Sequence, residues 1–378
     1  MTPGAAGPVG DDDRLARAGL SATVEPGDLR VARAVRADGA VAVWQRIRRR
    51  AADPPDPRRS WDSLRRLGGR LLCPGDPEWP AGLADLAGDQ GEVGAEPFAL
   101  WLCGPARLAD VTATAVAVVG SRAATGYGLH VAGLLAEGLV GYGRAVVSGG
   151  AYGVDGAAHR GALAVGGPTV AVLAGGVDIL YPRGHDRLLR AVAERGAVVS
   201  EVPPGTPPLR RRFLSRNRLI AALTLGTVVV EAGVRSGALR TLRDAHDLGR
   251  SCLLVPGPVT SPMSAGCHQA LRDLPGARPV TRAAEIHEEV GPLGALAEPL
   301  VAPAGPRDGL TAAAHRVLEG VPARIGGGPA EIAARAGVDV GQVLSALGPL
   351  LDRGRVERDP AGYRLTRLGR APAAAPAL

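Results

Sequence analysis

Residues 115–122 read Ala115-Val116-Ala117-Val118-Val119-Gly120-Ser121-Arg122, and residues 145–153 read Ala145-Val146-Val147-Ser148-Gly149-Gly150-Ala151-Tyr152-Gly153. Each is a short apolar run that breaks into glycine. A strand that is apolar on both alternating faces belongs between two covering layers, and glycine directly after it suits a tight turn into a helix. Further strands are predicted at Thr169–Leu173, Ala197–Ser200, Thr227–Val230 and Cys252–Val255. Helical patterns fill the gaps over Gly128–Val140, Asp155–Val165, His185–Arg195, Arg216–Leu223 and Gly237–Leu248. Such alternation predicts a parallel sheet covered on both faces. The expected fold class is therefore α/β, a doubly wound Rossmann-like parallel sheet over residues 68–291. Leu71-Leu72-Cys73-Pro74 and Phe98–Cys103 are expected to add strands to one side of it.

Outward from this centre, residues 1–67 predict a small helical N-terminal domain. Asp28–Val35 and Ala40–Ile47 have helical spacing, and the prolines of Ala51-Ala52-Asp53-Pro54-Pro55-Asp56-Pro57 mark a loop. Nine arginines between Trp44 and Arg70 face only Asp53, Asp56 and Asp62, which suits a solvated helix plus linker or an auxiliary nucleic-acid surface. Residues 292–309 are expected to be a linker, Pro/Gly/Ala-rich from Pro299 to Gly309. Residues 310–370 have the outline of a C-terminal winged helix: Ala312–Leu318, Ala330–Arg335 and Val340–Leu351, then a ribbon pairing Arg355-Val356-Glu357 with Tyr363-Arg364-Leu365. The third helix has Val340, Val343, Leu344, Leu347, Leu350 and Leu351 as its expected buried stripe, and Gly348-Pro349 is expected to bend or end it early. Residues 371–378 are expected to be a disordered tail.

With 378 residues, 46% of them hydrophobic, the chain has length and apolar content for several cores, but aromatic residues are only 3%, so Ala, Val and Leu must supply the packing. Fifty-four glycines and 32 prolines exclude a coiled coil or a helical solenoid. The net charge is +7, carried by 44 basic residues that are all arginine, and favours an anionic partner such as nucleic acid or a phosphate-bearing ligand. Cys73, Cys103, Cys252 and Cys267 are scattered, without disulfide-framework or zinc spacing. Asp11-Asp12-Asp13 stands where a signal peptide needs a basic flank, and no apolar stretch is long enough to span a bilayer. A cytoplasmic location without membrane partners is the expectation.

Several loops can bind anions. Gly120-Ser121-Arg122 leads from a strand into a helix, which brings unpaired backbone N–H groups and a positive helix end to one place, and Arg122 can add a two-pronged phosphate contact. There is no G-x-G-x-x-G and no acidic residue placed for a ribose, so a dinucleotide cofactor is not expected. Ser148-Gly149-Gly150-Ala151-Tyr152-Gly153, Gly175-Gly176 and Ser236-Gly237 follow later strands, and all of these loops converge on one sheet edge. Between Leu209 and Arg218, Arg210, Arg211, Arg212, Arg216 and Arg218 surround Phe213, one of two phenylalanines in the chain, with no acidic residue among them. Arginines that track phosphates beside an aromatic face that stacks on bases suit a single strand; the alternative is a solvated run with Phe213 in the core. Asp155 and His159 are one helical turn apart without a third ligand, which suits a helix N-cap and a packed histidine rather than a metal site. Ser121, Ser148 and Ser236 have no evident base partner, so no catalytic residue, metal or cofactor is expected.

Together these motifs resemble one family, the bacterial DNA-processing protein A (DprA, also called Smf). In order along the chain the match includes Val116–Arg122 with Tyr127-Gly128, Ser148-Gly149 through Asp155, Ala157-Ala158-His159, Gly176-Val177-Asp178 and Tyr181-Pro182. It continues through Ser200-Glu201, Phe213 with Arg216-Asn217-Arg218, Glu231-Ala232, Ser236-Gly237, Gly249-Arg250, Val255-Pro256-Gly257 and Gly266. The resemblance implies a non-catalytic protein that binds and protects single-stranded DNA, forms a homodimer through the Rossmann-like domain, and helps load the recombinase RecA in natural transformation or recombination. It implies that Gly120, Ser121, Arg122, Ser148, Gly149, Phe213, Arg216, Asn217, Arg218, Ser236 and Gly237 line the DNA pocket; Gly150, Tyr152 and Arg212 join them as neighbours in the same loop and basic run. Tyr152 stands where the family usually has Arg, Leu214 where it has Pro and His268 where Asn is common. Two other readings are a nucleotide phosphoribohydrolase, whose P-G-G-x-G-T-x-x-E motif is absent around Glu231, and a nucleotide-sensing winged-helix transcriptional regulator.

Overall fold

The computed structural model describes residues 10–87, 93–292, 294–297 and 310–370. They fall into two compact units, one of residues up to 297 and one of residues from 310 on. Most of the expected linker and all of the expected tail 371–378 lie outside the described residues.

The first unit opens with four helices, α1 (Asp11–Thr23), α2 (Leu29–Asp38), α3 (Ala40–Arg50) and α4 (Pro57–Arg66). Helical spacing marks α2 and α3 but not α1 or α4. In α1 the three aspartates occupy the first turn, where the positive helix end favours them. In α4 Asp56 caps the helix and Pro57 is its first residue, so the last proline of the expected loop starts a helix instead. Ala16, Leu20, Ala32, Val43 and Trp44 form a small core with Ala95 and Phe98. Gly19 is required there, because a Cβ would meet the Trp44 indole at 2.6 Å.

Nine strands form one sheet: β1 (Arg70–Leu72), β2 (Leu100–Cys103), β3 (Val116–Val119), β4 (Val146–Ser148), β5 (Thr169–Leu173), β6 (Ala197–Ser200), β7 (Gly226–Val229), β8 (Ser251–Leu254) and β9 (Arg278–Pro279). Their order is β1-β2-β6-β5-β4-β3-β7-β8-β9. From β6 to β9 every neighbouring pair is parallel. β2 runs antiparallel to β6, and β1 to β2, so the two added strands lie on one side.

The helices that follow are α5 (Leu108–Thr112), α6 (Gly126–Gly141), α7 (Val154–Ala164), α8 (Asp186–Arg195), α9 (Arg210–Ala222), α10 (Ala238–Asp247), α11 (Ala265–Asp273) and α12 (Ala283–Val290). Strand periodicity sorts them into two layers. Val116, Val118, Val146 and Val228 pack with Leu135 and Leu139 of α6, Val154 and Ala158 of α7, and Ile286 of α12. Ala117, Val119, Val147, Val172 and Val229 pack with Leu219 and Ile220 of α9, and Leu239 and Leu242 of α10. Burying each valine contributes roughly 1.5–3 kcal/mol, so the two valine faces hold the middle of the sheet, while the fully buried Trp101 of β2 packs on its antiparallel side. α9 starts at Arg210, six residues before the apolar pattern placed it, and the basic run forms its first turns.

The second unit has α13 (Ala312–Gly320), α14 (Pro329–Ala336), α15 (Val340–Asp352) and the antiparallel hairpin β10 (Val356–Asp359) and β11 (Gly362–Leu365). Val317, Leu318, Ile332, Val343, Leu347, Leu350 and Val356 form its core. α15 runs on past Pro349 to Asp352, against the expected early end. Burial of Leu350, one residue after the proline, offsets the helix bond that Pro349 lacks. Of the expected buried stripe, Val340 and Leu344 are exposed and Leu351 is half-buried.

Candidate nucleic-acid interface

Strand order decides where a ligand fits. β3 has β4 on one side and β7 on the other. The chain leaves β3 through α6 on one face and arrives at β7 through α9 on the other, so the connections part at this point. Crevices open where the connections of an α/β sheet diverge like this. Here the crevice is ≈ 410 Å³ and is lined by Gly120, Ser121 and Arg122 after β3, Ala151 and Asp155 after β4, Phe213, Leu214, Arg216 and Asn217 of α9, and Ser236 and Gly237 before α10.

Two buried carboxylates build its loops. Glu231, just past β7, accepts from the Thr125 N–H at 2.8 Å and from the Thr125 hydroxyl at 2.6 Å, while its own carbonyl oxygen accepts from the Ser121 N–H at 2.7 Å. Gly128 leaves room for it, since a Cβ there would collide with the Glu231 carboxylate. Asp155 accepts from the N–H groups of Gly149 at 3.1 Å and Ala151 at 3.3 Å and so ties the glycine loop after β4 to α7. The N-cap of α7 is Gly153, so Asp155 organises the preceding loop rather than capping the helix as expected. Burial pushes the Asp155 carboxyl upward, against the Arg216 charge and the two N–H donors.

Arg216 lies beneath the crevice, 6% exposed, and donates through Nη1 to the Val172 carbonyl oxygen. Burial lowers it to about 10, with Asp155 opposing and the Arg122 charge adding to the shift, so it stays cationic at neutral pH. Its Nε has no hydrogen-bond partner among the described residues. Gly149 is required beside it, because a Cβ would overlap the guanidinium. At the rim, Arg122 lies 5.0 Å from the centroid of the Phe213 ring, and Tyr181 packs edge-on against the same ring at 5.6 Å. Asn217 Nδ2 donates to the Gly237 carbonyl oxygen at 3.4 Å, and the Ser236 hydroxyl accepts from the Ala238 N–H in the first turn of α10. The N-terminus of that helix adds positive potential.

The structure thus brings together Gly120, Ser121, Arg122, Phe213, Arg216, Asn217, Ser236 and Gly237. The other residues named from sequence stand elsewhere. Ser148 is fully buried and its hydroxyl donates to the Val118 carbonyl oxygen at 2.7 Å, joining β4 to β3. Gly149 and Gly150 shape the loop from behind, and Gly150 adopts a φ of +69°. Tyr152 is exposed and meets His185 edge-on at 4.8 Å, outside the lining. Arg212 pairs with Glu25 at 2.9 Å. Arg218 is the clearest correction: it is 1% exposed, donates to both Glu201 oxygens at 2.8 and 2.7 Å and to the Ala95 carbonyl oxygen at 3.0 Å, and has no free edge for a phosphate. His159 is packed in the core with Nδ1 2.7 Å from the Thr169 hydroxyl, and burial first, then the His185 charge, lowers it to about 3. The sequence reading missed Glu231 and Asp155 as loop organisers and Tyr181 as the partner of Phe213. All three positions belong to the family match, in which Asp155 was expected only as a helix N-cap.

The same geometry has relatives. A family model described as DNA recombination-mediator protein A matches residues 70–291. The chain is 46% identical over 381 residues to a putative DNA processing protein DprA of Mycobacterium tuberculosis, covering 97% of each. It is 44% identical over 176 residues to protein Smf of Escherichia coli, 46% of each chain. Among solved structures, DNA processing protein A of Streptococcus pneumoniae superposes with a TM-score of 0.61 at 28% identity, over 74% of this chain and 97% of that one. A DNA processing protein A of Helicobacter pylori, studied for its single-stranded DNA binding mode, gives a TM-score of 0.50 at 26% identity over 58% and 93%. With the family model matched over more than half of the chain and a relative matched almost end to end, this protein belongs to the DNA recombination-mediator protein A family, the DprA/Smf proteins.

Proposed function

We propose that this chain binds single-stranded DNA in the crevice between β3 and β7, catalyses no reaction on it, and presents the covered strand to RecA during transformation or recombination. The observation that carries the reading is the rim of the crevice, where the Phe213 ring and the Arg122 guanidinium stand together over the buried cation Arg216. An aromatic face takes a base, and the cations take the flanking phosphates. The Helicobacter relative, whose study concerns single-stranded DNA binding, supports the same ligand class. A nucleotide hydrolase built on this edge would need a free acid, whereas Glu231 is committed to Thr125 and Asp155 to the N–H groups of Gly149 and Ala151. A homodimer formed through the sheet unit and a cytoplasmic site of action complete the proposal; no helix among the described residues is long and apolar enough to cross a membrane.

The test is binding of labelled oligo(dT) across a salt series. Arg122→Ala is expected to weaken binding to all sequences alike and to reduce the logarithmic salt slope by roughly 0.7, the contribution of one phosphate contact on a single strand. Phe213→Ala is expected to lose on the order of 1–3 kcal/mol with little change of slope, because stacking releases no counterion. If both folded variants bind like the parent, the strand does not occupy this crevice. A parallel assay of RecA assembly on protein-covered strands, with and without this chain, tests the loading step: no acceleration would remove it.

A further inference from the structure

The first turn of α9 holds Arg210, Arg211 and Arg212 in succession. Cations at that end oppose the helix macrodipole, so helix formation by itself gains nothing from three of them. An anion from a distant part of the chain offsets the charge. Glu25, in the loop between α1 and α2, accepts from Arg211 Nη2 at 2.6 Å and Arg212 Nη2 at 2.9 Å with one oxygen, and from Arg212 Nε at 3.2 Å with the other. These two guanidinium groups hold the Glu25 carboxyl down at about 2, so it is ionised wherever the protein is folded near neutrality. A small anion gripped by two arginine forks is also how arginines hold a phosphodiester. The next residue along α9 is Phe213, at the rim of the crevice.

We propose that Arg211 and Arg212 form an outer phosphate subsite continuous with the crevice, and that Glu25 is its built-in occupant, displaced when a strand binds. This rests on the single-strand reading of the crevice. Exchange is inexpensive on the outer side, where Arg211 is exposed and Glu25 half-buried, because a solvent-accessible ion pair contributes little; Arg212, mostly buried, is the inner wall of the subsite. It also lowers affinity. The strand has to displace Glu25 before Arg211 and Arg212 can hold phosphate, so the unaltered chain binds more weakly than one without that carboxylate.

The experiment uses the full chain, oligo(dT) and a salt series. Glu25→Gln is expected to bind several-fold tighter at low salt with an unchanged slope, because the same phosphates are contacted once Glu25 is displaced. The gain is expected to vanish when Arg211→Ala and Arg212→Ala are added to Glu25→Gln, with a slope shallower by roughly 0.7 for each phosphate given up, up to two. As a measurement independent of any variant, amide exchange of residues 24–28 in the unaltered protein is expected to speed up when oligo(dT) binds. A folded Glu25→Gln protein with parental affinity, a gain that survives loss of both arginines, or exchange that stays constant or slows would each overturn the subsite. If the unaltered chain binds no oligo(dT), or if Arg122→Ala and Phe213→Ala leave binding intact, the crevice reading fails and the subsite with it. Success of those controls together with any of the three contrary results removes the subsite alone.

Discussion

Arg216 and Arg218 lie two positions apart on α9 and have opposite fates. Arg216 extends beneath the crevice and keeps its charge available to a ligand there, whereas Arg218 is locked into a buried pair with Glu201. Removing one partner of such a pair leaves an uncompensated buried charge, at a cost of about 3–5 kcal/mol. Arg218→Ala is therefore expected to lower the melting temperature sharply, while the double replacement Arg218→Met with Glu201→Leu recovers most of the loss; thermal melts of both check this. A fully stable Arg218→Ala protein with weakened strand binding would return Arg218 to the interface. In sequence the two arginines look alike. What separates them is Glu201, at the end of β6, which long-range packing alone brings to α9. Ser148 was misread for the same reason, since its hydroxyl is claimed by Val118 on the neighbouring strand. Arg122 and Phe213 stay at the crevice because a glycine turn and a helix rim leave their side chains few inward partners.

Among the elements, the junction of β3, β7 and α6 fixes the crevice, and Gly128 is its tightest point. Gly128→Ala would drive the Glu231 carboxylate off Thr125, undo the cap of α6 and shift the Gly120–Arg122 loop. Overpacking of this kind costs typically about 1–3 kcal/mol, and strand affinity is expected to fall along with stability. A Gly128→Ala protein of parental stability and affinity would show that the Glu231 contacts do not set the loop. The six strands β3 to β8 were legible to within a residue, because in Val116–Val119 or Thr169–Leu173 every side chain is buried and the apolar run is the strand; the exposed β9 carries no such run and was not foreseen. Helix starts were less so. α9 begins with three arginines that no amphipathic pattern marks as helical, and α15 continues through a proline because Leu350 is anchored in a core that local sequence does not display.

For the whole molecule, most strand binding is expected to reside in the sheet unit rather than in the unit from residue 310 on. α15 offers Gln342 and Ser345 as polar reach and exposes Val340 and Leu344, a surface better suited to a protein contact than to base edges. We expect a chain ending at residue 305 to keep most of its single-strand affinity at matched salt. A large loss from that still-folded fragment would move the function to the C-terminal unit. The central claim, that this edge holds a single strand by phosphate charge and base stacking, is tested most directly by comparing random-sequence single strands with duplexes of the same length across a salt series. The predicted result is tighter binding to the single strand, with little dependence on sequence and a logarithmic affinity that falls linearly with the logarithm of salt at roughly 0.7 per phosphate contacted. Equal or tighter binding to the duplex would contradict it.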